Sequence, residues 1–408
     1  MFEFTVSDRL TSTKGGPTLG RAGLITTPHG DIQTPAFIPV GTKASLKAAT
    51  PQQLTDTGAQ AVLANAYHLY LQPGPDLIDQ AGGLGVFMGW DGPTVTDSGG
   101  FQVMSLGVGF KKVLAMDVTS VANDDVIAEG KDRLAHVDDD GVTFKSHLDG
   151  SMHRFTPEVS MQVQHQIGAD IIFAFDECTT LMNTREYQER SLQRTAAWAR
   201  RCVVEHRRLT EERSHRPYQA LFGVIQGAQY EDLRREAARD LGQLGFDGYG
   251  IGGALAKEQL GQIVGWVTSE LSESQPRHLL GIGEPDDLFT AIENGADTFD
   301  CVTPSRVARN ASLFADTGRF NITSSPNRWD FGPVQEGCEC YTCKNFSKAY
   351  LHHLFKAKEM LASTLATIHN VHYVVKLVDS IRASIADGSF YEFRNEFLGR
   401  YYDRSAAT

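Results

Sequence analysis

The sequence predicts an α/β fold: a (β/α)8 TIM barrel with a small N-terminal β-sheet and a C-terminal cysteine-rich subdomain. Short apolar runs alternate along the 408 residues with longer helical patterns, as in a parallel sheet covered by helices. Eight such runs favour a barrel, although a doubly wound sheet shows the same alternation. Polar residues at the ends of the runs favour the barrel over that alternative.

The predicted barrel strands lie at residues 37–40, 62–65, 95–97, 170–176, 220–226, 248–252, 278–283 and 298–302. Helical patterns between them cover residues 156–167, 185–208, 230–244 and 285–293. We therefore expect an N-terminal sheet segment at 1–33, the barrel at 34–330 with an insertion around 106–155, and a zinc-binding helical subdomain at 331–408.

The two segments outside the bare barrel have their own patterns. Residues 2–33 alternate as strands and turns, which predicts a small sheet closing one end of the barrel. Residues 106–155 form a long connection, and we favour a plain surface insertion over a lid for its 106–140 part. Residues 349–378 carry apolar side chains at helical spacing and are expected to pack around the cysteine cluster or against a second subunit.

Composition limits the classes of function. Basic residues number 38 and acidic residues 50, a net charge of −12, which has the wrong sign for a protein that coats nucleic acid. A nucleic-acid partner would need a local basic patch. Only six cysteines, no apolar N-terminal segment and no run of transmembrane length predict a cytoplasmic protein without a membrane partner.

Polar side chains recur at the carboxyl ends of the predicted strands, where (β/α)8 enzymes gather their catalytic groups. They are Asn65, Asp97, Asp176, Gln226 and Asp300. Each aspartate taken singly could be a turn or helix-capping residue. Because they recur at the same end of successive strands, we expect three carboxylates at one mouth of the barrel.

Three cysteines at short spacing, Cys338, Cys340 and Cys343, suit a tetrahedral zinc ion better than a disulfide framework. The fourth ligand is open on spacing alone, because four histidines follow: His352, His353, His369 and His372. A zinc ion with four protein ligands has no free position for substrate. The predicted zinc is therefore structural, one ion per subunit.

Four segments and this cluster together resemble the bacterial tRNA-guanine transglycosylases. They read Thr-Asp-Ser-Gly-Gly-Phe-Gln at 96–102, Gly-Val-Thr-Phe-Lys-Ser-His-Leu-Asp-Gly at 141–150, Ala-Phe-Asp-Glu-Cys at 174–178 and Phe-Asp-Cys-Val at 299–302. The resemblance runs over nearly the whole chain. It implies a barrel enzyme of queuosine biosynthesis that exchanges guanine at the wobble position of certain tRNAs for a 7-deazaguanine base, preQ1 or queuine.

The resemblance also implies residue roles. Asp300 would be the nucleophile that forms a covalent ribosyl intermediate, and Asp97 the general acid/base. The base would be bound by Ser98, Gly99, Gly100, Asp176, Gln226 and the backbone of Gly253, with Phe101 stacked on its face. RNA contacts would come from Gly281, Ile282, Gly283, Glu284, Pro285, Asp286 and Asp287, and from Ser305, Arg306, Val307, Ala308 and Arg309. His369 would complete the zinc site, and the family is usually homodimeric.

Physical chemistry agrees with these roles. Exchange of one base for another at the same carbon, with configuration kept, calls for two displacements and a pair of carboxylates. A stacked base cannot reach such a pair, so the target nucleotide must flip into the site. The chain departs from the family pattern at Phe101, which replaces a usual tyrosine and keeps its stacking face without the hydroxyl. Residues 252–258 read Gly-Gly-Ala-Leu-Ala-Lys-Glu rather than Gly-Gly-Leu-Ala-Val-Gly-Glu, and this second departure leaves the incoming base open.

Two other classes of function compete with the exchange reaction. A non-catalytic tRNA-binding subunit would be expected to lack the catalytic carboxylates, whereas this chain keeps both Asp97 and Asp300. A nucleoside or glycoside hydrolase would use the same carboxylates with water and leave an abasic sugar. Cys178 and Cys301 adjoin two of the aspartates, and we interpret them as small apolar pocket residues rather than reactive thiols.

Overall fold

The computed structural model describes residues 1–13, 15–108, 135–253 and 255–403. The strands are β1 (Glu3–Thr11), β2 (Pro17–Thr27), β3 (Gly30–Thr34), β4 (Ala36–Pro39), β5 (Val62–Ala64), β6 (Thr94–Thr96), β7 (Ala135–Asp138), β8 (Gly141–Lys145), β9 (Met152–Phe155), β10 (Ile171–Phe173), β11 (Ala220–Ile225), β12 (Gly248–Ile251), β13 (Arg277–Leu279), β14 (Thr298–Cys301), β15 (Ser312–Ala315) and β16 (Gly318–Asn321).

The α-helices are α1 (Pro51–Asp56), α2 (Ala66–Leu71), α3 (Pro75–Gln80), α4 (Leu84–Met88), α5 (Gly100–Val108), α6 (Pro157–Ile167), α7 (Arg185–Glu212), α8 (Glu231–Gly242), α9 (Leu260–Thr268), α10 (Pro285–Glu293), α11 (Thr303–Arg309), α12 (Tyr341–Asn345), α13 (Lys348–Ala357), α14 (Met360–Asp387) and α15 (Phe390–Tyr402). Short 3-10 helices cover Lys257–Gln259 and Ser325–Trp329. Among these helices, none is both long and apolar enough to cross a membrane.

Eight parallel strands form the barrel in the order β4-β14-β13-β12-β11-β10-β6-β5. A parallel bridge between Val40 and Leu63 links the two outer strands and closes the ring. The predicted (β/α)8 barrel is confirmed, with a strand inside each of the eight predicted runs or within one residue of it. The observed strands end earlier than several of those runs, because the polar residues at their carboxyl ends leave the hydrogen-bonded ladder to form the mouth.

The predicted N-terminal sheet consists of β1, β2 and β3 in antiparallel pairing. Its apolar residues Phe4, Ile25 and Ile32 join one buried cluster with barrel residues such as Val95 and Phe222. That cluster fills the barrel interior, so the sheet covers the end opposite the carboxyl ends of the strands.

The connection after β6 contains the antiparallel sheet β7-β8-β9 beside the mouth. The loop between β8 and β9 contacts helix α2 of the barrel, where the Tyr67 hydroxyl lies 2.9 Å from His147 Nδ1. Residues 109–134, with most of the predicted 106–140 insertion, lie outside the described part of the chain. The plain insertion at 106–140 and the domain boundaries at 33/34 and 330/331 therefore stay predictions.

The C-terminal region joins the cysteine cluster to the barrel through α14, a 28-residue helix. The helical spacing at 349–378 is confirmed, and it is divided between α13 and α14 at Lys358, whose left-handed φ of 60° ends α13. In α14, Asn370 accepts from Phe314 N and donates to Pro304 O and Ser312 O. This buried amide fastens α14 to the residues that follow β14.

Candidate active site and metal centre

The polar residues predicted at the strand ends do meet at one mouth of the barrel. Asn65 directly follows β5, Asp97 follows β6, Gln226 follows β11, and Asp300 is the next-to-last residue of β14, shortly before α11. Asp176 comes three residues after β10. Because parallel strands end on the same side, their carboxyl ends bring residues that are far apart in sequence into one site.

Asp97 sits in a cage of hydrogen-bond donors. The Ala66 N–H donates to Oδ1 at 2.8 Å, and Asn65 Nδ2 donates to Oδ2. Burial is the largest influence on this carboxyl and raises its pKa to about 7, and the charge of nearby Asp300 adds to that rise. Asp97 therefore exists in both protonation states near neutral pH, as a group that must give and take a proton requires.

Asp176 forms the core of a second polar group. Ser98 Oγ donates to its Oδ1 at 3.1 Å and Gln226 Nε2 donates to its Oδ2 at 2.7 Å. Burial raises the pKa of Asp176 to about 6, so the carboxyl is mainly ionised at pH 7. The group presents acceptor and donor atoms along one wall, which suits the edge of a purine-like base.

Two glycines make this wall possible. A Cβ added at Gly100 would lie 2.7 Å from Asp176 O, closer than real Cβ atoms come, and 3.1 Å from Ser98 Oγ. A Cβ on Gly253, whose φ is +92°, would lie 2.6 Å from Gln226 Oε1. At Gly100 the backbone of Asp176 excludes any side chain, and at Gly253 the positive φ favours glycine.

Phe101 lies on the first turn of α5 with its ring 40% exposed. A large apolar side chain at the rim of a polar mouth suits stacking on a flat ligand. Across the mouth, Asp300 Oδ1 accepts the Gly281 N–H at 3.0 Å and lies 3.1 Å from His278 Nε2. The aspartate is therefore held at one oxygen.

Sequence reasoning gave no functional role to His278 or Asn65, although both contact a candidate catalytic carboxylate. The position of Asn65 at a strand end could have predicted its place at the site. For His278 the sequence offered only a weak indication, a histidine within an apolar strand pattern. Gly281 was predicted to contact RNA, and the structure also makes its N–H a partner of Asp300.

The cysteine cluster forms a second site. Cys338, Cys340, Cys343 and His369 each place one ligand atom within 4.8 Å of the others, and the three cysteines are free thiols. His369 Nδ1 lies 3.3 Å from the Cys343 sulfur and 3.6 Å from that of Cys340. Its Nε2 bonds to Phe314 O at 2.8 Å, which leaves Nδ1 free as a ligand atom. These residues fit a structural metal ion.

Of the histidines that spacing left open, His369 belongs to this group of four ligand atoms, whereas Nδ1 of His372 bonds to Thr57 O at 3.1 Å. Comparison with known proteins then decides the family: the model described as queuine tRNA-ribosyltransferase matches residues 17–403. The chain belongs to the queuine tRNA-ribosyltransferase family. Its members are enzymes, and they act on tRNA as tRNA-guanine transglycosylases with a 7-deazaguanine substrate.

Individual relatives cover the same length. A queuine tRNA-ribosyltransferase of Roseiflexus sp. is 47% identical over 390 residues, which are 93% of this chain and 96% of the relative. The protein of the same name from Caldanaerobacter subterraneus is 44% identical over 392 residues, 95% of this chain and 96% of the relative. A third, from Thermoanaerobacter sp., is 44% identical over 391 residues.

For a tRNA-modifying family, the charges around the mouth are informative. Arg306 is exposed on α11, directly after the strand of Asp300, and Arg309 is half-buried with its guanidinium bonded to Ser305 O at 2.7 Å. By contrast, the predicted RNA-contacting loop at 281–287 is acidic. Glu284 pairs with Arg319 at 3.1 Å and Asp286 with Lys257 at 2.8 Å, which offsets much of that negative charge.

The thiols beside the aspartates are poor nucleophiles. Burial raises the pKa of Cys178 to about 12 and also raises the pKa of Cys301. Thiolate is the reactive form, and little of it exists at neutral pH under these conditions. Both cysteines therefore behave as small apolar residues, in agreement with the sequence interpretation.

Proposed function

We propose that this family member exchanges guanine for a 7-deazaguanine base at the tRNA wobble position by double displacement at Asp300. The Asp300 carboxylate attacks C1′ of the ribose, the C1′–N9 bond breaks, and Asp97 gives its proton to the departing guanine. The incoming base loses a proton to Asp97 and attacks C1′, which breaks the ester bond to Asp300. Two inversions keep the configuration at C1′.

One observation carries this proposal: Asp97 lies near Asp300 at the mouth, where burial first and the charge of Asp300 second raise the pKa of Asp97 to about 7. Asp97 can then hold a proton for the departing base beside a second aspartate that attacks the ribose carbon. The hydrolase alternative needs the same pair, so the product distinguishes the two reactions.

Recognition of the base falls to the group around Asp176. Its ionised carboxylate would accept hydrogen bonds from the N1–H and exocyclic amine of the base, and Gln226 and the Gly253 N–H would face the opposite edge. Phe101 would stack on the ring in the flipped-out state, which is worth about 1–3 kcal/mol per base. We propose preQ1 as the incoming base, with queuine as the alternative.

The tRNA would lie across the mouth and over α11. Arg306 and Arg309 provide positive charge beside Asp300 on a chain of net charge −12. Phosphate contacts from these arginines, together with backbone groups at 281–283, would position the anticodon loop. Because the substrate is cellular tRNA, we place the reaction in the cytoplasm.

The test is incorporation of labelled guanine into an unmodified tRNA with guanine at the wobble position. Exchange by the native protein and its loss in Asp300→Asn are expected, with Asp240→Asn, an exposed carboxylate on α8, as the matched control. Unlabelled preQ1 and queuine added as competitors identify the incoming base. Release of guanine without incorporation, leaving an abasic tRNA, would instead establish a hydrolase.

We propose zinc as the metal held by the Cys3His cluster. With bonds of about 2.3 Å to sulfur and about 2.0–2.1 Å to nitrogen, tetrahedral zinc sets its sulfur and nitrogen ligands about 3.6 Å apart. The nitrogen–sulfur distances here are 3.3, 3.6 and 3.9 Å. Elemental analysis should find about one zinc per chain in the native protein and a clear loss in Cys343→Ala.

We also propose a homodimer formed through the metal-binding subdomain. Aromatic residues are exposed on this subdomain, with Trp329 72% and Phe331 74% exposed, and Tyr350 stacks on Phe346 at 5.4 Å. Exposed apolar patches of this kind mark association surfaces, and a second copy of the chain supplies a self-complementary partner. Light scattering at micromolar concentration should give a dimer, and Phe331→Asp should give a folded monomer. A native monomer would overturn the proposal.

A further inference from the structure

The neighbouring strands β13 and β14 place a histidine against the proposed nucleophile. His278 pairs with Thr298 across the strands, and both side chains face the barrel interior with Asp300. His278 Nδ1 lies 2.9 Å from Thr298 Oγ1, and its Nε2 lies 3.1 Å from Asp300 Oδ1. The imidazole thus bridges a hydroxyl and the carboxylate.

The bonding partners define how the ring works. With the Thr298 hydroxyl donating to Nδ1, the proton of a neutral imidazole sits on Nε2 and is donated to Asp300. The Gly281 N–H donates to the same oxygen at 3.0 Å. Both donors therefore bind Oδ1, and neither of them binds the other oxygen, Oδ2.

The surroundings distinguish this arrangement from an ordinary buried histidine. His278 is only 2% exposed, and its ring packs 5.4 Å from that of Phe173 in the apolar cluster that fills the barrel. Two polar side chains, His278 and Thr298, replace apolar ones in this layer and end at Asp300. A layer built for stability alone would be filled by branched apolar residues.

We propose that His278 is a positioning residue for the transfer reaction, which fixes the Asp300 carboxylate with Oδ2 free to attack. It also stabilises the charge that returns to Asp300 when the second displacement breaks the ester bond. The proposal rests on Asp300 being the nucleophile. His278 itself forms no bond to substrate and carries no proton to the base.

The experiment compares His278→Gln with His278→Leu. A glutamine amide reaches the position of Nε2 and can donate to Asp300, whereas leucine fills the space without a donor. We expect His278→Leu to lower kcat for guanine exchange about 10- to 100-fold with KM for tRNA and base within threefold. His278→Gln should recover most of kcat, and Thr298→Val should lose less than His278→Leu. The rate of covalent protein–RNA complex formation, read on a denaturing gel, should follow kcat.

Several outcomes decide the proposal. A folded, metal-loaded His278→Leu with kcat within twofold of native would overturn it. If that variant does not fold, His278→Asn replaces it, because the asparagine amide is too short to reach Asp300; equal kcat for the asparagine and glutamine variants would also overturn the proposal. Full exchange by Asp300→Asn would remove the proposed function itself. Loss in Asp300→Asn with normal kcat in His278→Leu removes only the role of His278.

Discussion

The two ends of the barrel hold buried aspartates in opposite chemical environments. At the end covered by the N-terminal sheet, Asp297 accepts two hydrogen bonds from Arg21, at 2.8 and 2.7 Å, and one from Arg277 N. Asp170 accepts from Thr94 N at 2.8 Å and lies 2.6 Å from His29 Nδ1. These carboxylates have a cationic or ionisable partner and backbone donors.

At the mouth, the donors to Asp97 and Asp176 are amide, hydroxyl and backbone groups rather than a cation. Burial then dominates and raises the two pKa values to about 7 and about 6. The same side chain is therefore an ion-pair partner at one end and a proton-exchanging group at the other. In a (β/α)8 enzyme, the covered end supports stability and the mouth supports catalysis.

The largest effect that should separate the two ends comes from Arg21→Met. This change leaves the Asp297 carboxylate buried without its partner, so unfolding free energy should fall by about 3–5 kcal/mol. Guanine exchange by the folded fraction should stay within threefold of native. Denaturant unfolding and kinetics at 25 °C measure the two quantities. Unchanged stability would show that the covered end does not depend on this ion pair.

The converse variant is Asp97→Asn. Loss of a general acid/base should lower exchange by about 10²- to 10⁴-fold. The free energy of unfolding should change by no more than about 1 kcal/mol. Removal of a costly buried charge stabilises the fold, and the loss of its hydrogen bonds offsets that gain. The same unfolding and exchange assays apply. A strongly destabilised Asp97→Asn would mean that the mouth, too, is built for stability.

The pH dependence tests the charge state of Asp97. With its pKa near 7, formation of the covalent complex, which needs the proton, should fall about tenfold per unit above pH 7. Reaction of that complex with the incoming base should instead fall below pH 7. The raised pKa also makes this group cost stability as pH rises from 3.8 to about 7, because the native carboxyl keeps a proton that the unfolded chain releases.

Single-turnover rates from pH 5.5 to 8.5 separate the pH dependences of these two steps. His278→Gln provides a control in which the Asp97 cage is intact, so its pH profile should keep the same midpoint. If neither rate depends on pH over this range, the proton transfer is assigned to a group other than Asp97.

The smallest expected effect is on tRNA affinity, through an arginine beside the barrel mouth. Arg306→Ala removes an exposed charge beside the mouth, so tRNA affinity should fall a few-fold at low salt and the slope of log K against log salt should decrease by about 1. Affinity measured between 50 and 200 mM salt gives that slope, with Arg200→Ala on the outer helix α7 as the control. An unchanged slope would place the RNA away from α11.

Hydrophobic periodicity and residue spacing were sufficient to predict much of this protein's structure. The eight strands, the N-terminal sheet and the meeting of Asp97, Asp176 and Asp300 at one mouth follow from local patterns, because strand direction alone sets which ends converge. The strand limits were less accurate. Residues 170–176 were predicted as one strand, but the strand is Ile171–Phe173, because the Phe175 N–H bonds to the Cys202 sulfur and the Asp176 carboxylate bonds to Ser98 and Gln226.

By itself, the sequence determined the fold class, the family resemblance and the residue types available for chemistry. Only the tertiary structure decided which atoms meet: His278 against Asp300, Asn65 against Asp97, and His369 with the three cysteines on grounds independent of resemblance. It also decided that Asp97 and Asp297 differ in environment. Spacing along a chain is a local property, whereas burial and partners depend on strand register and on segments hundreds of residues apart.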